Sequence, residues 1–478
     1  MTDDLKSRAI AGLSWSFVGQ IVKQVFQFVV NVALAHLLSP ADFGLVAMAM
    51  VFINFASVFA DMGVSSALIQ RKHVTESHWS SAFWLNIIFG GVLTLFFCLC
   101  SPLIANFYHR QELSPIIFVL SFSFLLSSFT IVQQTILTKN MEFRVLMVRD
   151  IGAVFLSGVV AIFLAFKGWG VWSLVVQMLV SALLHNFFLW GSSTWRPKFI
   201  FSIGSLKDFF FFSTHLTGFQ VVNYFARNLD QMLIGKFLGS EVLGYYSLAY
   251  KLMMLPLQNI SWVLSKVMFP VLSKVHDDIE RLQRAYIKML RSISILTFPL
   301  MTLLFVLAPQ LIRVIYGEKW SAVSDLVRVL CFCGMFQSLG TISGLIYQSV
   351  GKTNVQLRMG LINTFIIFVV LVSCIHYGLY AVTVGYAVIS IIWVHISMGV
   401  VCRVISLPYG TMYKSILPSF VISAVLLVFT ASVKSVLMAH DWFKIGIITV
   451  NFVAIYVVLL FMMGEIKIEK RKVKFNLL

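Results

Sequence analysis

Apolar residues fill fourteen long runs along the chain, and short polar segments separate the runs. A helix needs about 20 apolar residues to cross a bilayer, and the runs are of that length. Lipid admits only helices or closed barrels, and these runs are too long and continuous for barrel strands. The pattern therefore predicts an all-α polytopic membrane protein with about fourteen transmembrane helices. The predicted spans are 11–35, 43–63, 80–104, 115–138, 146–166, 169–191, 208–236, 241–269, 290–312, 322–349, 357–376, 379–402, 412–433 and 443–463.

The apolar pattern is duplicated. Residues 35–49 read AHLLSPADFGLVAMA, and a shift of 200 lays them over GKFLGSEVLGYYSLA at 235–249. A shift of 208 lays SPLIANFY (101–108) over PQLIRVIY (309–316). The repeat holds six spans, so both copies cross the membrane in the same sense. The duplication predicts two six-helix lobes, a tandem parallel repeat around a central cavity, and hence a transporter.

Spans 13 and 14 have no repeat partner and are predicted to be an appendage. The predicted segments are 1–191 as the N-terminal six-helix lobe, 192–207 as a cytoplasmic linker, 208–403 as the C-terminal six-helix lobe, and 404–478 as two additional transmembrane helices with a basic cytoplasmic tail.

The composition agrees with a membrane protein. Of 478 residues, 59% are hydrophobic and 12% are charged, and the formal net charge is +17. The positive charge lies in short loops, which indicates membrane orientation and anionic lipid rather than nucleic acid. Loops and span ends on one side carry 24 Lys and Arg, against 8 on the other, which places both termini in the cytoplasm. The basic segment 270–291 is predicted to be a short amphipathic helix at the membrane surface.

Two spans carry matching polar faces. Polar residues of span 1 recur at helical spacing, and the shift of 200 lays them over polar residues of span 7. The two stripes are predicted to line a water-filled cavity between the lobes. In span 1 they are Gln20, Lys23, Gln24, Gln27 and Asn31, and in span 7 they are Gln220, Asn223, Arg227, Asp230 and Gln231.

Cations within the spans indicate the charge of the substrate. Lys23, Arg227 and Lys251 would together cost about 10 kcal/mol if they faced lipid, so they are predicted to face the cavity. Lys266 is a further candidate, although it lies near a span end where it can extend to the head groups. A cationic cavity favours an anionic substrate and disfavours a cationic drug.

Asp61 and Asp230 are the candidate carriers of a coupling proton or sodium ion. Each has a purely structural alternative. Asp61 lies near a span end, where it can cap the helix, and Asp230 lies three residues from Arg227, at the spacing of a local ion pair.

No catalytic or metal-binding motif stands out. The six cysteines lie in or beside apolar segments without metal-site spacing, and the histidines are scattered. The segment VGKTN (350–354) lacks the upstream glycine of a phosphate loop. The sequence therefore predicts no enzyme activity, no metal and no cofactor. Pro256 and Pro299 fall inside predicted spans and are candidate bends.

Several segments together resemble the Wzx-type polysaccharide flippases of the multidrug/oligosaccharidyl-lipid/polysaccharide (MOP) superfamily, with colanic acid exporters as the nearest subgroup. The resemblance extends from about residue 5 to about residue 400. It is carried by LSPADFGLVAMAMVF (38–52), DMGVSSALIQRK (61–72), NLDQMLIGKFLG (228–239), LGYYSLAYKLMMLP (243–256), SKVMFPVLSKVHDD (265–278) and YGEKW (316–320).

The resemblance implies transfer of undecaprenyl-pyrophosphate-linked oligosaccharide across the bacterial inner membrane by alternating access, for lipopolysaccharide, exopolysaccharide or capsule. Membrane lipids and a polysaccharide polymerase or co-polymerase are the other implied partners. Lys23, Arg227 and Lys251 would then attract the pyrophosphate, and the Gln and Asn side chains of the stripes would bind sugar hydroxyls. The alternatives are a multidrug antiporter or lipid II flippase of the same superfamily, and a membrane polysaccharide polymerase or ligase.

Overall fold

The structure is a computed structural model that describes most of the chain. The described residues are 2–60, 65, 68–69, 74–202, 224–225, 227–261, 264–265, 268, 272, 277–436, 440–463, 466–469 and 472–475.

Helices account for nearly all of the described chain. Those of the first half are α1 (Thr2–Leu37), α2 (Pro40–Ala60), α3 (Glu76–Phe107), α4 (Leu113–Lys139), α5 (Phe143–Phe166) and α6 (Val171–Ser192). Those that follow are α7 (227–238), α8 (Ser240–Pro256), α9 (Ile279–Leu311), α10 (Val323–Ser349), α11 (Thr353–Cys374), α12 (Leu379–Val404), α13 (Tyr409–Val436) and α14 (Asp441–Met462).

Short elements complete the chain. Leu257–Ser261 and Ile312–Tyr316 form π-helical turns, and Glu318–Trp320 and Ile375–Tyr377 form 3₁₀ turns. Strands β1 (Ile466–Glu469) and β2 (Lys472–Phe475) pair as an antiparallel hairpin in the C-terminal tail.

The predicted all-α polytopic membrane fold is confirmed. Predicted spans 1–6 and 9–14 each correspond to one described helix, in order. Among the described residues, twelve helices are long and apolar enough to cross a membrane, namely α1 to α6 and α9 to α14. The other two are described over shorter lengths, because parts of predicted spans 7 and 8 lie outside the described residues.

The chain divides into two compact units, residues 1–244 and 245–478. In the second unit, α9 is the helix on which its neighbours pack. Ser294 and Thr297 of α9 hydrogen-bond to Ser419 of α13 at 2.8 Å and to Ser338 of α10 at 3.0 Å. The Tyr456 hydroxyl of α14 donates to a backbone carbonyl of α9 at 2.7 Å. The last two helices, which lack a repeat partner, are therefore docked on α9.

The basic segment 270–291 differs from its prediction as a separate surface helix. From Ile279 onward it is the beginning of α9 and continues into the membrane span without a break. Asp278 caps this helix, since its carboxylate accepts from the Arg281 backbone N–H at 3.0 Å. No proline or glycine occurs before Pro299, so nothing in the sequence interrupts the helix there.

The two candidate bends behave differently. Pro256 is the last residue of α8, and the π-helical turn Leu257–Ser261 follows it. Pro299 lies inside α9, which continues past it to Leu311. Only the first proline therefore coincides with a departure from regular α-helix.

Candidate functional site

Helices α1 and α5 pack in parallel, so that residues in contact keep a nearly constant separation of 127 to 129 in sequence. Along this seam the partners are Trp15 with Arg144, Gly19 with Met147, Lys23 with Asp150, Phe26 with Phe155, and Val30 with Gly158. The two glycines allow the close approach, because a Cβ at Gly158 would lie 2.4 Å from a methyl group of Val30. The seam therefore brings Lys23 to Asp150, which is the one carboxylate of α5.

Asp150 is the centre of a charged cluster drawn from three helices. Its Oδ2 accepts from Lys23 Nζ of α1 at 2.8 Å. Its Oδ1 accepts from Arg149 Nη2 at 2.6 Å and Nε at 3.0 Å, and lies 3.3 Å from His185 Nε2 of α6. On α4, Gln134 Oε1 accepts from Arg149 Nη1 at 3.4 Å. We call Lys23, Arg149, Asp150 and His185 the Asp150 cluster.

The Asp150 cluster is enclosed but reachable. The side chains of Arg149 and Asp150 are 6% and 12% exposed, whereas those of Lys23 and His185 are 27% and 25% exposed. One carboxylate faces a lysine, an arginine and a histidine, so the cluster carries net positive charge even with His185 neutral. Such a site can attract an anion through its two partly exposed members, Lys23 and His185.

Two members of the cluster were missed by the sequence analysis. Asp150 was not singled out, although an acidic residue inside an apolar span is a functional candidate by default. Arg149 was not singled out either, although it lies in α5 and is buried. The adjacent pair Arg-Asp within the run VLMVRDIGAVFL was the available signal.

The predicted stripe of span 1 lies along α1. Gln20 and Gln27 are exposed, and Gln24 and Asn31 are half-buried. The Asn31 amide donates to the backbone carbonyl of Gln27, one turn earlier. Lys23 sits at the border between this stripe and the α5 seam, which is how it reaches Asp150.

The other predicted residues are only partly described. Arg227 is exposed on α7, and Asp230 is buried there, its Oδ1 accepting from the Gln231 backbone N–H at 2.8 Å. Lys251 is exposed on α8, in the second compact unit. The predicted site residues outside the described part of the chain are Asp61, Gln220, Asn223 and Lys266.

A second arrangement in the first unit brings aromatic rings from before α7 and after α3 against the middle of α2. The Tyr224 hydroxyl donates to the Val51 carbonyl of α2 at 2.6 Å, and its ring packs against Phe55. Tyr108, after α3, packs its ring on Phe52. Burial raises the pKa of the Tyr108 hydroxyl far above its usual range, so that it stays neutral.

The first turns of α2 and α8 meet through two glycines that the shift of 200 relates to each other. A Cβ at Gly44 would lie 1.6 Å from the Ser240 carbonyl oxygen, and a Cβ at Gly244 would lie 2.0 Å from the Pro40 carbonyl oxygen. The contact is thus reciprocal, because the first turn of each helix places a backbone carbonyl oxygen against the glycine of the other helix. We call it the glycine junction.

Solved structures of two transporters share this fold. The match to "Lipid II flippase MurJ, inward closed conformation" has a TM-score of 0.76 and covers 94% of this chain and 98% of that chain, at 16% identity. The match to the inward-facing conformation of a multidrug resistance MATE family transporter of the MOP superfamily has a TM-score of 0.66, covering 82% and 99%, also at 16% identity. The chain therefore has the polytopic helical membrane fold of these two solved structures.

Comparison with related sequences identifies the family to which the chain belongs. Residues 33–325 match the family described as "Polysaccharide biosynthesis protein", so more than half of the chain is covered and the chain belongs to that family. Lipopolysaccharide biosynthesis protein WzxC of Escherichia coli (strain K12) is 26% identical over 81% of this chain and 80% of its own length. Teichuronic acid biosynthesis protein TuaB of Bacillus subtilis (strain 168) is 27% identical over 88% of each chain. The predicted membership of a polysaccharide biosynthesis family is therefore confirmed, and the fold is the one shared with the two solved structures.

Proposed function

We propose that this protein is a flippase that carries undecaprenyl-pyrophosphate-linked oligosaccharide across the bacterial inner membrane, by alternating access, for surface polysaccharide synthesis. The family match supports this, as do relatives named for lipopolysaccharide, teichuronic acid and succinoglycan biosynthesis or transport. The loop charge bias supports an orientation with both termini in the cytoplasm. A polymerase or co-polymerase that receives the translocated unit is part of the same proposal.

The Asp150 cluster is the structural observation that supports this proposal. It places net positive charge inside a transmembrane unit, with the Lys23 and His185 side chains about a quarter exposed. Burying uncompensated positive charge is costly, so a site of this kind is best stabilised when an anion joins it. The pyrophosphate of a lipid-linked sugar is such an anion.

Roles follow for the predicted residues. Lys23, Arg227, Lys251 and Lys266 attract the pyrophosphate, whereas the amide side chains of the two stripes hydrogen-bond to sugar hydroxyls. A proton or sodium gradient drives the cycle through Asp61 or Asp230. The amide residues are Gln20, Gln24, Gln27, Asn31, Gln220 and Asn223.

The multidrug antiporter is the second candidate, because a multidrug transporter shares the fold. A pocket for cationic drugs requires acidic or aromatic side chains, and the Asp150 cluster has the opposite charge balance. The family match also favours polysaccharide synthesis.

A deletion strain tests the proposed function. Lipid-linked oligosaccharides are extracted from cells with and without the gene and analysed by mass spectrometry, alongside surface polysaccharide. Complete repeat units should accumulate on undecaprenyl pyrophosphate while surface polymer is lost. Unchanged lipid intermediates together with altered drug tolerance would instead assign the protein to multidrug export.

Single variants of the cations test the mechanism. Lys23→Ala, Arg227→Ala and Lys251→Ala should each reduce export at normal protein level, and Lys23→Arg should retain part of it. Arg281→Ala is the matched control, since this exposed arginine of α9 pairs with Asp278 at 2.9 Å and has no proposed role. Full export by all three alanine variants would exclude the cationic pathway.

A further inference from the structure

The imidazole of His185 faces hydrogen-bond acceptors on both sides. Its Nδ1 lies 2.7 Å from the Ser181 backbone oxygen, one turn earlier in α6, and the Ser181 hydroxyl is farther away at 3.4 Å. Its Nε2 lies 3.3 Å from Asp150 Oδ1. A carbonyl oxygen and a carboxylate accept but do not donate, and only the imidazolium form carries a hydrogen on both nitrogens. Both contacts are hydrogen bonds only when His185 carries a hydrogen on each ring nitrogen.

Loss of a proton would fall on Nε2. The Nδ1 hydrogen is held by the shorter contact to Ser181, so the neutral ring keeps it and presents an Nε2 lone pair to Asp150 Oδ1. Two acceptors then face each other, and the carboxylate is left to Lys23 and Arg149 alone. Deprotonation of His185 thus strengthens the ion pair between Asp150 and Lys23, whereas protonation of His185 weakens it.

The remaining charges on the packed helices lie elsewhere. Helix α2 carries one charged residue, Asp42, which is 3.5 Å from the position of a Cβ on Gly170, at the start of α6. His185 is roughly 22 Å farther along that helix. On α4 the one charged residue is Lys139, whose ammonium donates to the Leu68 carbonyl at 2.8 Å. The groups that face His185 among the described residues are therefore Asp150 and Arg149 on α5 and, through Asp150, Lys23 on α1.

We propose that His185 and Asp150 form a proton-binding site linked to anion binding at Lys23. A proton from water binds to Nε2, draws Asp150 Oδ1 toward the ring, and releases Lys23 to an anionic head group. Linkage is reciprocal, so an anion bound at Lys23 must equally favour the proton on His185. This proton site adds to the proposed function, and the identity of the anion rests on that function.

The second unit supplies a matched control. His395 of α12 occupies the corresponding span of the repeat, and its Nδ1 likewise contacts the carbonyl one turn earlier, Ile391, at 2.8 Å. Its ring stacks near Tyr413 and Phe336 instead of a carboxylate. A His395→Gln variant therefore removes a similar imidazole without touching the Asp150 cluster.

The proton site is tested without any substrate. Protein labelled with ¹⁵N in its histidine rings is studied by solid-state NMR in lipid bilayers between about pH 5 and 8, the range in which imidazoles titrate. The signals that disappear in His185→Gln belong to His185. Both ring nitrogens should carry hydrogen at the acid end, and Nε2 alone should lose it as the pH rises. A ring that stays neutral, or that loses the Nδ1 hydrogen instead, would overturn the proposal.

The linkage is tested with undecaprenyl pyrophosphate as the probe, bound to protein in nanodiscs at pH 6 and pH 8. Wild type and His395→Gln should bind the probe at least about fivefold more tightly at pH 6 than at pH 8. The affinity of His185→Gln for the probe should be the same at both pH values. Binding by wild type that is equally tight at both pH values would overturn the linkage alone. Absence of binding at both pH values would overturn the linkage together with the proposed substrate.

Discussion

The glycine junction gives the sharpest test of how this fold is held together. Real Cβ atoms do not approach other heavy atoms within 3.0 Å, whereas the space is 1.6 Å at Gly44 and 2.0 Å at Gly244. The opposing Ser240 carbonyl must therefore retreat by about 1.4 Å in Gly44→Ala, and the Pro40 carbonyl by about 1.0 Å in Gly244→Ala. Both obstacles are backbone atoms, so rotation of a side chain cannot relieve the clash.

The expected cost follows from two opposed terms. Overpacking lowers the free energy of unfolding by up to about 3 kcal/mol, whereas replacing glycine by alanine in a helix raises it by about 1 kcal/mol. Each single variant should therefore lose about 2 kcal/mol. The double variant should lose little more than the worse single one, because both methyl groups need the same separation of α2 from α8. Export should fall in the same order, because a less stable protein leaves fewer folded copies in the membrane.

The assay is the midpoint of reversible unfolding in mixed detergent micelles, measured beside surface polysaccharide. Gly91→Ala on α3 is the control, because a Cβ there would meet nothing within 4 Å. The control should be as stable as wild type or slightly more stable. The reasoning would be refuted if each single variant matched the control in both readouts, or if the two losses were fully additive.

Three further predictions concern the packing of each unit. Gly158→Ala should lower the free energy of unfolding by about 1–3 kcal/mol, and adding Val30→Ala should restore part of it, because the clash is with a Val30 methyl group at 2.4 Å. Trp320→Ala should cost about 3–5 kcal/mol by the same measurement, since this ring is fully buried. Arg313→Ala should cost less than about 1 kcal/mol despite its 3.2 Å contact with Asp441, because the arginine is 56% exposed, and a loss comparable to that of Trp320→Ala would contradict the argument.

The helices could be predicted because their signal is local. A run of about 20 apolar residues must become a helix when it crosses lipid, whatever it packs against. Helix α10, predicted over 322–349, spans Val323–Ser349, and α12, predicted over 379–402, spans Leu379–Val404. A clear difference is at α9, where hydropathy marked the membrane part and not the amphipathic turns that precede it.

The Asp150 cluster could not be predicted in the same way, because its pairing is set by packing. Lys23 and Asp150 are 127 residues apart, and they meet because α1 and α5 run in parallel at one register. A shift of that register by one residue turns Lys23 by about 100° around its helix, away from the carboxylate. Hydropathy shows only that both residues lie inside the membrane, where each needs a partner.

The two halves share the helical frame but not the chemistry of the cluster. Helix α11, which corresponds to α5 in the repeat, carries no acidic residue, and the position of Asp150 falls near Arg358. His395 lies on the helix that corresponds to α6, two residues beyond the position that the shift of 208 assigns to His185, and its surroundings are aromatic. The helices were retained in both copies because the bilayer requires an apolar run of fixed length. A buried carboxylate is costly unless it is paired, so it persists only where neighbouring cations stabilise it, as Lys23 and Arg149 do in the first unit.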